Sequence, residues 1–126
     1  MDSSRASAGG AEERILVVDE TEAIRRLIEI SLRSLGFVAL AANREEAETI
    51  LQSYDVILAV TDLGLRYLGY EWVDQLIGRG IATVVLTSYV LPTQIDAINP
   101  AAEVLAKPFS PSELRETAAE LLGREV

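Results

Sequence analysis

The side chains best able to do chemistry stand just after short apolar runs. Asp19 and Glu20 follow 15–18, and Asp62 follows 56–61. Thr87 and Ser88 follow 82–86, and Lys107, Pro108 and Phe109 follow 104–106. Three carboxylates brought together repel one another, and held ionised they call for a cation; hard oxygen donors favour Mg²⁺ with retained waters. Such an ion would shield the approach of an anionic phosphoryl group. The Lys107 ammonium and the Thr87 hydroxyl are groups that stabilise the equatorial oxygens of an in-line phosphoryl transfer. With Asp62 as nucleophile, the product would be an acyl phosphate on its carboxylate.

These residues can act together only if the fold brings the ends of the runs to one place. The runs 15–18, 37–41, 56–61, 82–86 and 104–106 read as strands, the first continuous and β-prone as befits a strand buried on both faces. Helices alternate with them. The first spans 22–35, with Ile24, Leu27, Ile28, Leu32 and Leu35 on one stripe and Gly36 as a left-handed stop. The second is capped by Asn43 with Glu46 completing a capping box, turns Ala47, Ile50 and Leu51 inward, and ends near Tyr54. The third spans 70–77, before Gly78-Arg79-Gly80. A short fourth, 93–98, is bracketed by Pro92 and Pro100. The last starts at Ser110 with Pro111 at its first position and Glu113 closing the box, and stops at Gly123; Leu114, Ala118, Leu121 and Leu122 face in. Five strand-then-helix repeats imply an α/β domain, a parallel sheet with helices on both faces. In such a sheet ligands bind outside the carboxyl ends of the strands, which is where Asp19, Glu20, Asp62, Thr87 and Lys107 stand.

Composition narrows the chemistry. The 126 residues suit one domain, expected over 13–126 behind a disordered tail at 1–12. With no cysteine and no histidine there is no disulfide, no thiolate or histidine metal site, no Ser-His-Asp catalysis and no phosphohistidine on the chain itself. A net charge of −9 makes direct nucleic-acid binding unfavourable. No apolar run approaches a membrane span and the start is not a signal peptide, so the expectation is a cytoplasmic protein without membrane contact.

The segments ILVVDE (15–20), VTDLGL (60–65), VVLTS (84–88) and LAKPF (105–109) resemble, in order and spacing, the four landmark motifs of response-regulator receiver domains, the CheY-like superfamily. The resemblance covers 14–125. It implies a flavodoxin-like, doubly wound five-stranded sheet of order 2-1-3-4-5. It matches Asp19 and Glu20 to the acidic pair that organises Mg²⁺, and Asp62 to the phosphoacceptor. Thr87 matches the switch hydroxyl and Lys107 the lysine that pairs with the phosphoryl group. It further implies a metal contact from the Gly64 carbonyl and a cis peptide before Pro108. The implied function is two-component signal transduction. Asp62 would accept phosphate, with Mg²⁺, from a histidine kinase or a phosphotransfer protein, and the only catalysis would be the domain's own phosphorylation and dephosphorylation. Output would run through a protein partner on the face of the fourth and fifth helices. The chain ends just past its last helix, which suggests either a stand-alone receiver or one excised from a larger protein.

The pattern departs from the family in places. Glu20 replaces the usual Asp, Arg66 stands where a proline is usual, and the glycine of that loop, Gly69, falls one residue early. Val104 stands where many members carry an aromatic switch residue, and the span from Thr87 to Lys107 is slightly short. Val104 and the loop residue Tyr89 are the candidate gates of the pocket. Taken singly, the residues have plainer readings: Asp19 and Glu20 as helix-capping acids, Asp62 as a turn residue, Trp72 as helix packing, and Arg44, Glu45, Glu46 and Glu48 as a solvated face. The departures motivate an alternative, a phosphorylation-independent module of receiver shape that acts in protein interaction. A flavin-type cofactor binder shares the topology, but Asp19-Glu20-Thr21-Glu22 offers acid where a Gly-rich phosphate cradle is needed.

Overall fold

The computed structural model describes residues 12–63, 69–88 and 96–124. Five strands, β1 (Glu13–Val18), β2 (Val38–Ala41), β3 (Asp55–Asp62), β4 (Ala82–Thr87) and β5 (Glu103–Ala106), form one parallel sheet of order β2-β1-β3-β4-β5. The helices are α1 (Glu22–Leu32), α2 (Arg44–Ser53), α3 (Tyr70–Gly78) and α4 (Pro111–Leu122). The short helix expected at 93–98 falls largely outside the described residues, as does the tail expected at 1–12, of which only Glu12 is described; Asp96 and Ala97 are helical.

Register decides what meets at the carboxyl edge. Val18 lies level with Thr61, so the next residues on each strand, Asp19 and Asp62, come side by side. Asp62 is level with Leu86, and Thr87 with Ala106. Lys107 therefore leaves β5 just beyond the end of β4. Residues 43 and 45 positions apart in sequence from Asp62 are brought to it by ladder pairing alone.

The strands are apolar because both faces are covered. On one face Ile15, Val17, Leu58, Val60, Val84 and Leu86 pack with Ile28, Leu32, Leu114 and Ala118 from α1 and α4. On the other, Leu16, Val18 and Ala59 pack with Ala47 from α2 and with Trp72 and Leu76 from α3. A third group, Val73, Val85 and Ile98, continues the core towards β5, with Val104 packed against it.

Two expectations for the first helix need correction. It stops at Leu32, not Leu35, and Gly36 is not left-handed; positive φ is confined to Gly80 and Gly123 among the described residues. Leu35 is still buried, but through a turn in which its N–H donates to the Leu32 carbonyl. Leu27, placed on the inward stripe, is 38 % exposed, because the buried face of α1 is centred on Ile28, Ser31 and Leu32 and Leu27 lies at its margin. The ends of α1 are held from outside: Arg115 Nε donates to the Ser31 carbonyl at 3.1 Å, and Arg124 donates to the Leu35 carbonyl. Both arginines supply positive charge where the helix dipole is negative and the last turn of α1 has no basic residue.

The caps follow the expected chemistry. Asn43 Oδ1 accepts the Glu46 N–H at 2.9 Å, and Glu46 reaches back to the Ala42 N–H, one residue before the cap. Ser110 Oγ accepts the Glu113 N–H at 3.0 Å, Pro111 opens α4, and Gly123 closes it at φ 67°. Leu114 and Ala118 are buried, with Ala119 beside them, while Leu121 and Leu122 are half-buried. No helix among the described residues is long and apolar enough to cross a membrane.

The Ser110 cap fixes the start of α4 immediately after the loop that carries Lys107. Ser110→Ala is expected to lower unfolding free energy by about 1 kcal/mol with an unchanged dependence on denaturant, measured by urea titration.

Candidate functional site

Lys107 is the centre of the site. Its Nζ donates to Asp19 Oδ2 at 2.8 Å and to Asp62 Oδ1 at 3.3 Å. The three side chains are 13 %, 0 % and 18 % exposed for Lys107, Asp19 and Asp62, so the ion pairs are shielded from water without being sealed. Asp19 serves two functions at once. Its Oδ1 accepts the Thr21 N–H at 2.9 Å, where α1 begins, while its other oxygen holds the lysine. The helix-capping reading and the site reading of this residue are therefore compatible. Arg25, one turn into α1, donates to the Asp19 main-chain carbonyl at 2.7 Å, and the Asp19 N–H donates to Ala41 at 3.1 Å.

Thr87 is buried at the end of β4, and its carbonyl accepts the Lys107 N–H at 2.8 Å. The Lys107–Pro108 peptide is cis. Glu20 is exposed beside the pair. Val104 faces Val85 across the ladder and lies in apolar surroundings with Ile98. Gly64, Arg66 and Tyr89 lie outside the described residues.

No protein-family model matches the chain. Among curated proteins it is 34 % identical over 118 residues to a probable transcriptional regulator, ycf27, of Cyanophora paradoxa, and 35 % identical over 122 residues to the alginate biosynthesis transcriptional regulatory protein AlgB of Pseudomonas putida. These alignments cover 90 % and 92 % of this chain but 49 % and 27 % of the relatives, so the chain spans about half of one and about a quarter of the other. Among solved structures, the BeF3-activated DrrB receiver domain superposes with a TM-score of 0.78 at 24 % identity, covering 90 % of this chain and 99 % of that one. The chemotaxis protein CheY4 of Vibrio cholerae superposes at 0.75 and 24 %, covering 88 % and 99 %. The chain is thus similar to response-regulator receiver domains, and it shares their fold, a five-stranded parallel sheet of order β2-β1-β3-β4-β5 flanked by helices.

The electrostatics of this site are set by an excess of acid. Asp62 is pushed above its ordinary value of 3.8, first by burial and then by the charges of Asp19 and Glu20, against which the Lys107 charge and hydrogen bond are insufficient. For Lys107, burial works to lower the value. The hydrogen bond and charge of Asp19, with those of Asp62, outweigh it, and the ammonium is held above 10.5. Lysine therefore stays protonated throughout the physiological range, and its contribution to stability is lost only as the pH rises beyond 10.5.

Whether these residues suit Mg²⁺ is a question of donor chemistry. Among the described residues no group of three acidic side chains converges as a ready-made metal cluster. Asp19 already has a partner on each oxygen. Mg²⁺, however, takes one or two carboxylates and keeps several waters, rather than an all-protein cage. Asp62, with the Glu20 charge close enough to disturb it, fits that requirement, and one lysine against three acids leaves negative charge for a cation to neutralise.

Sequence reasoning passed over two residues that touch the site's framework. Arg25 holds the Asp19 carbonyl, and Thr61 accepts the Trp72 indole N–H at 3.0 Å. The available signal for Thr61 was a hydroxyl at the end of an otherwise apolar buried strand, which needs a partner.

Because Asp62 ionises less readily folded than unfolded, its charge costs stability. That cost is absent well below pH 3.8, develops as pH rises through the titration of the group, and is constant above it. Asp62→Asn keeps an oxygen for Lys107 and removes the charge. The variant is expected to melt a few degrees above the parent at pH 7, and the gap should close on acidification when both are scanned across pH.

Proposed function

We propose that this domain accepts a phosphoryl group on Asp62 in two-component signalling and passes the signal on by protein contact. The observation that carries the reading is the Lys107 ammonium, held between Asp19 and Asp62 at the carboxyl edge of the sheet. A fixed cation beside a carboxylate nucleophile is what an incoming phosphoryl dianion requires. The raised Asp62 pKa points the same way, since a carboxylate poorly stabilised as an anion is a better nucleophile when ionised.

In the proposed reaction an Asp62 carboxylate oxygen attacks phosphorus. The new O–P bond forms as the P–N bond to a partner's phosphohistidine breaks. The electron pair returns to the imidazole nitrogen, which takes up a proton. Lys107 turns from the Asp62 oxygen to a phosphoryl oxygen while keeping Asp19 as its anchor. Thr87, level with Ala106 and adjoining Lys107, would donate its hydroxyl to a second phosphoryl oxygen. Hydrolysis by water then restores the carboxylate and releases inorganic phosphate. Mg²⁺, held by Glu20 and Asp62, with the Gly64 carbonyl as a further donor, would neutralise charge on the transferring group. A histidine kinase or phosphotransfer protein is the donor in this reading. The output partner docks on the face of α4 and the segment before β5. The acidity of the chain argues against direct nucleic-acid contact.

Val104 favours a second reading. It packs among Val85 and Ile98 where an aromatic switch would stand, which suits a module of receiver shape that signals without phosphate. One experiment separates the two. The full chain is incubated with Mg²⁺ and acetyl phosphate, from which acetate leaves, and its intact mass is followed. One added phosphoryl mass, absent in Asp62→Asn and without EDTA-removable metal, is the expected outcome; an unchanged mass under every condition establishes the second reading.

Lys107→Met should leave the fold intact and slow acceptance by about 10²-fold or more, since it removes a charge-assisted donor from the transition state. The same mass assay, run as a time course, reads the effect.

A further inference from the structure

We propose that Thr61 and Trp72 are positioning residues for the Asp62 phosphoacceptor, acting through the peptide that follows it; this rests on the reading of Asp62 given above. Trp72 is fully buried in α3, and its Nε1–H donates to Thr61 Oγ1 at 3.0 Å. Thr61 is fully buried, and its Oγ1 donates to the Asp62 carbonyl at 3.2 Å. The direction of the chain is fixed by chemistry. An indole nitrogen can only donate, so the threonine oxygen accepts from it and has its own proton free for the carbonyl.

The carbonyl of Asp62 and the N–H of Leu63 belong to one planar peptide unit. The N–H end donates to the Leu86 carbonyl at 3.0 Å, and the carbonyl end takes the Thr61 hydroxyl. Both polar ends of that plane are therefore tied, one to β4 and the other, through Thr61, to α3. Fixing the plane restricts rotation about the Asp62 Cα–C bond. It thereby sets where the carboxylate points relative to Lys107. Strand alternation explains how this is possible: Thr61 faces the α2–α3 layer with Ala59 and Trp72, while its neighbour presents the acid at the edge.

The indole is itself held. The Arg44 guanidinium of α2 lies 4.9 Å from the centre of its ring and donates to Gln75 Oε1 at 2.7 Å, and Gln75 donates in turn to Glu71 at 3.0 Å. This places a cation–π contact and two hydrogen bonds behind the N–H that orients Thr61. A threonine that merely filled space would need no such alignment.

The test measures the rate of phosphoryl acceptance from acetyl phosphate with saturating Mg²⁺ in the full chain, with circular dichroism confirming the fold of each variant. Thr61→Val removes the hydroxyl at constant shape; it is expected to lower the limiting rate about tenfold while the half-saturating acetyl phosphate concentration stays within about twofold. Thr61→Ser, which restores the hydroxyl, is expected to recover most of the rate. Trp72→Phe, which keeps an aromatic ring and removes the N–H, should slow acceptance in the same sense. A folded Thr61→Val at the parent rate overturns the proposal, as does a Thr61→Ser as slow as Thr61→Val, and Trp72→Phe at the parent rate overturns the part assigned to the indole. If the parent chain itself takes no phosphoryl group, the reading of Asp62 falls and takes this inference with it, a result distinct from every outcome among the variants.

Discussion

The site depends on one half-buried cation between two anions. Lys107 meets Asp19 and Asp62 in a place that water reaches only in part, where a charge left without a partner is costly. The fold can be understood as the means of making that meeting. Four strands from distant parts of the chain must end at matching heights, and the pairings Val18 with Thr61, Asp62 with Leu86 and Thr87 with Ala106 ensure that they do. A register slip of one residue on any of them would turn a polar group away from the edge and into the apolar layers. The buried runs on both faces make such a slip expensive.

The same arrangement leaves the site unbalanced in charge. One ammonium meets two carboxylates with the Glu20 charge nearby, and the imbalance is visible in Asp62, whose proton is held more tightly than usual despite a lysine in contact. The Asp62 carboxylate is thus partly shielded from water and lies against a protonated lysine that does not fully offset the burial and the neighbouring acids. The cost is accepted locally because the surrounding core, with Ile15, Leu16, Val17 and Val18 all fully buried, is well packed.

Much of this was legible in the residues. Short apolar runs ending in acid, hydroxyl or lysine are a strong pattern, because a parallel strand is apolar until the point at which it leaves the core. The caps at Asn43 and Ser110 were equally plain, since cap chemistry is local. What was not legible depended on tertiary partners. The carbonyls at and beyond the end of α1 are met by Arg115 of α4 and by Arg124 just past it, 84 and 89 positions away, which no window on the helix could contain. The Thr61–Trp72 pair was hidden because each residue has an ordinary reading alone, as a β-branched strand residue and as an aromatic on a helix. Lys107 was expected to find an anion, but its choice of two acids at once is a matter of ångströms.

The stitching of α1 by α4 has a consequence for how the chain comes to exist. Arg115 and Arg124 follow the first helix by more than 80 positions, yet they meet the carbonyls at its end, while Leu114 and Ala118 pack with Ile28 and Leu32. Until α4 has been made, that side of the sheet lacks part of its cover and its apolar residues face the solvent. This helical layer is therefore completed only after all five strands have been synthesised, a delay that lengthens the exposure of its apolar surface.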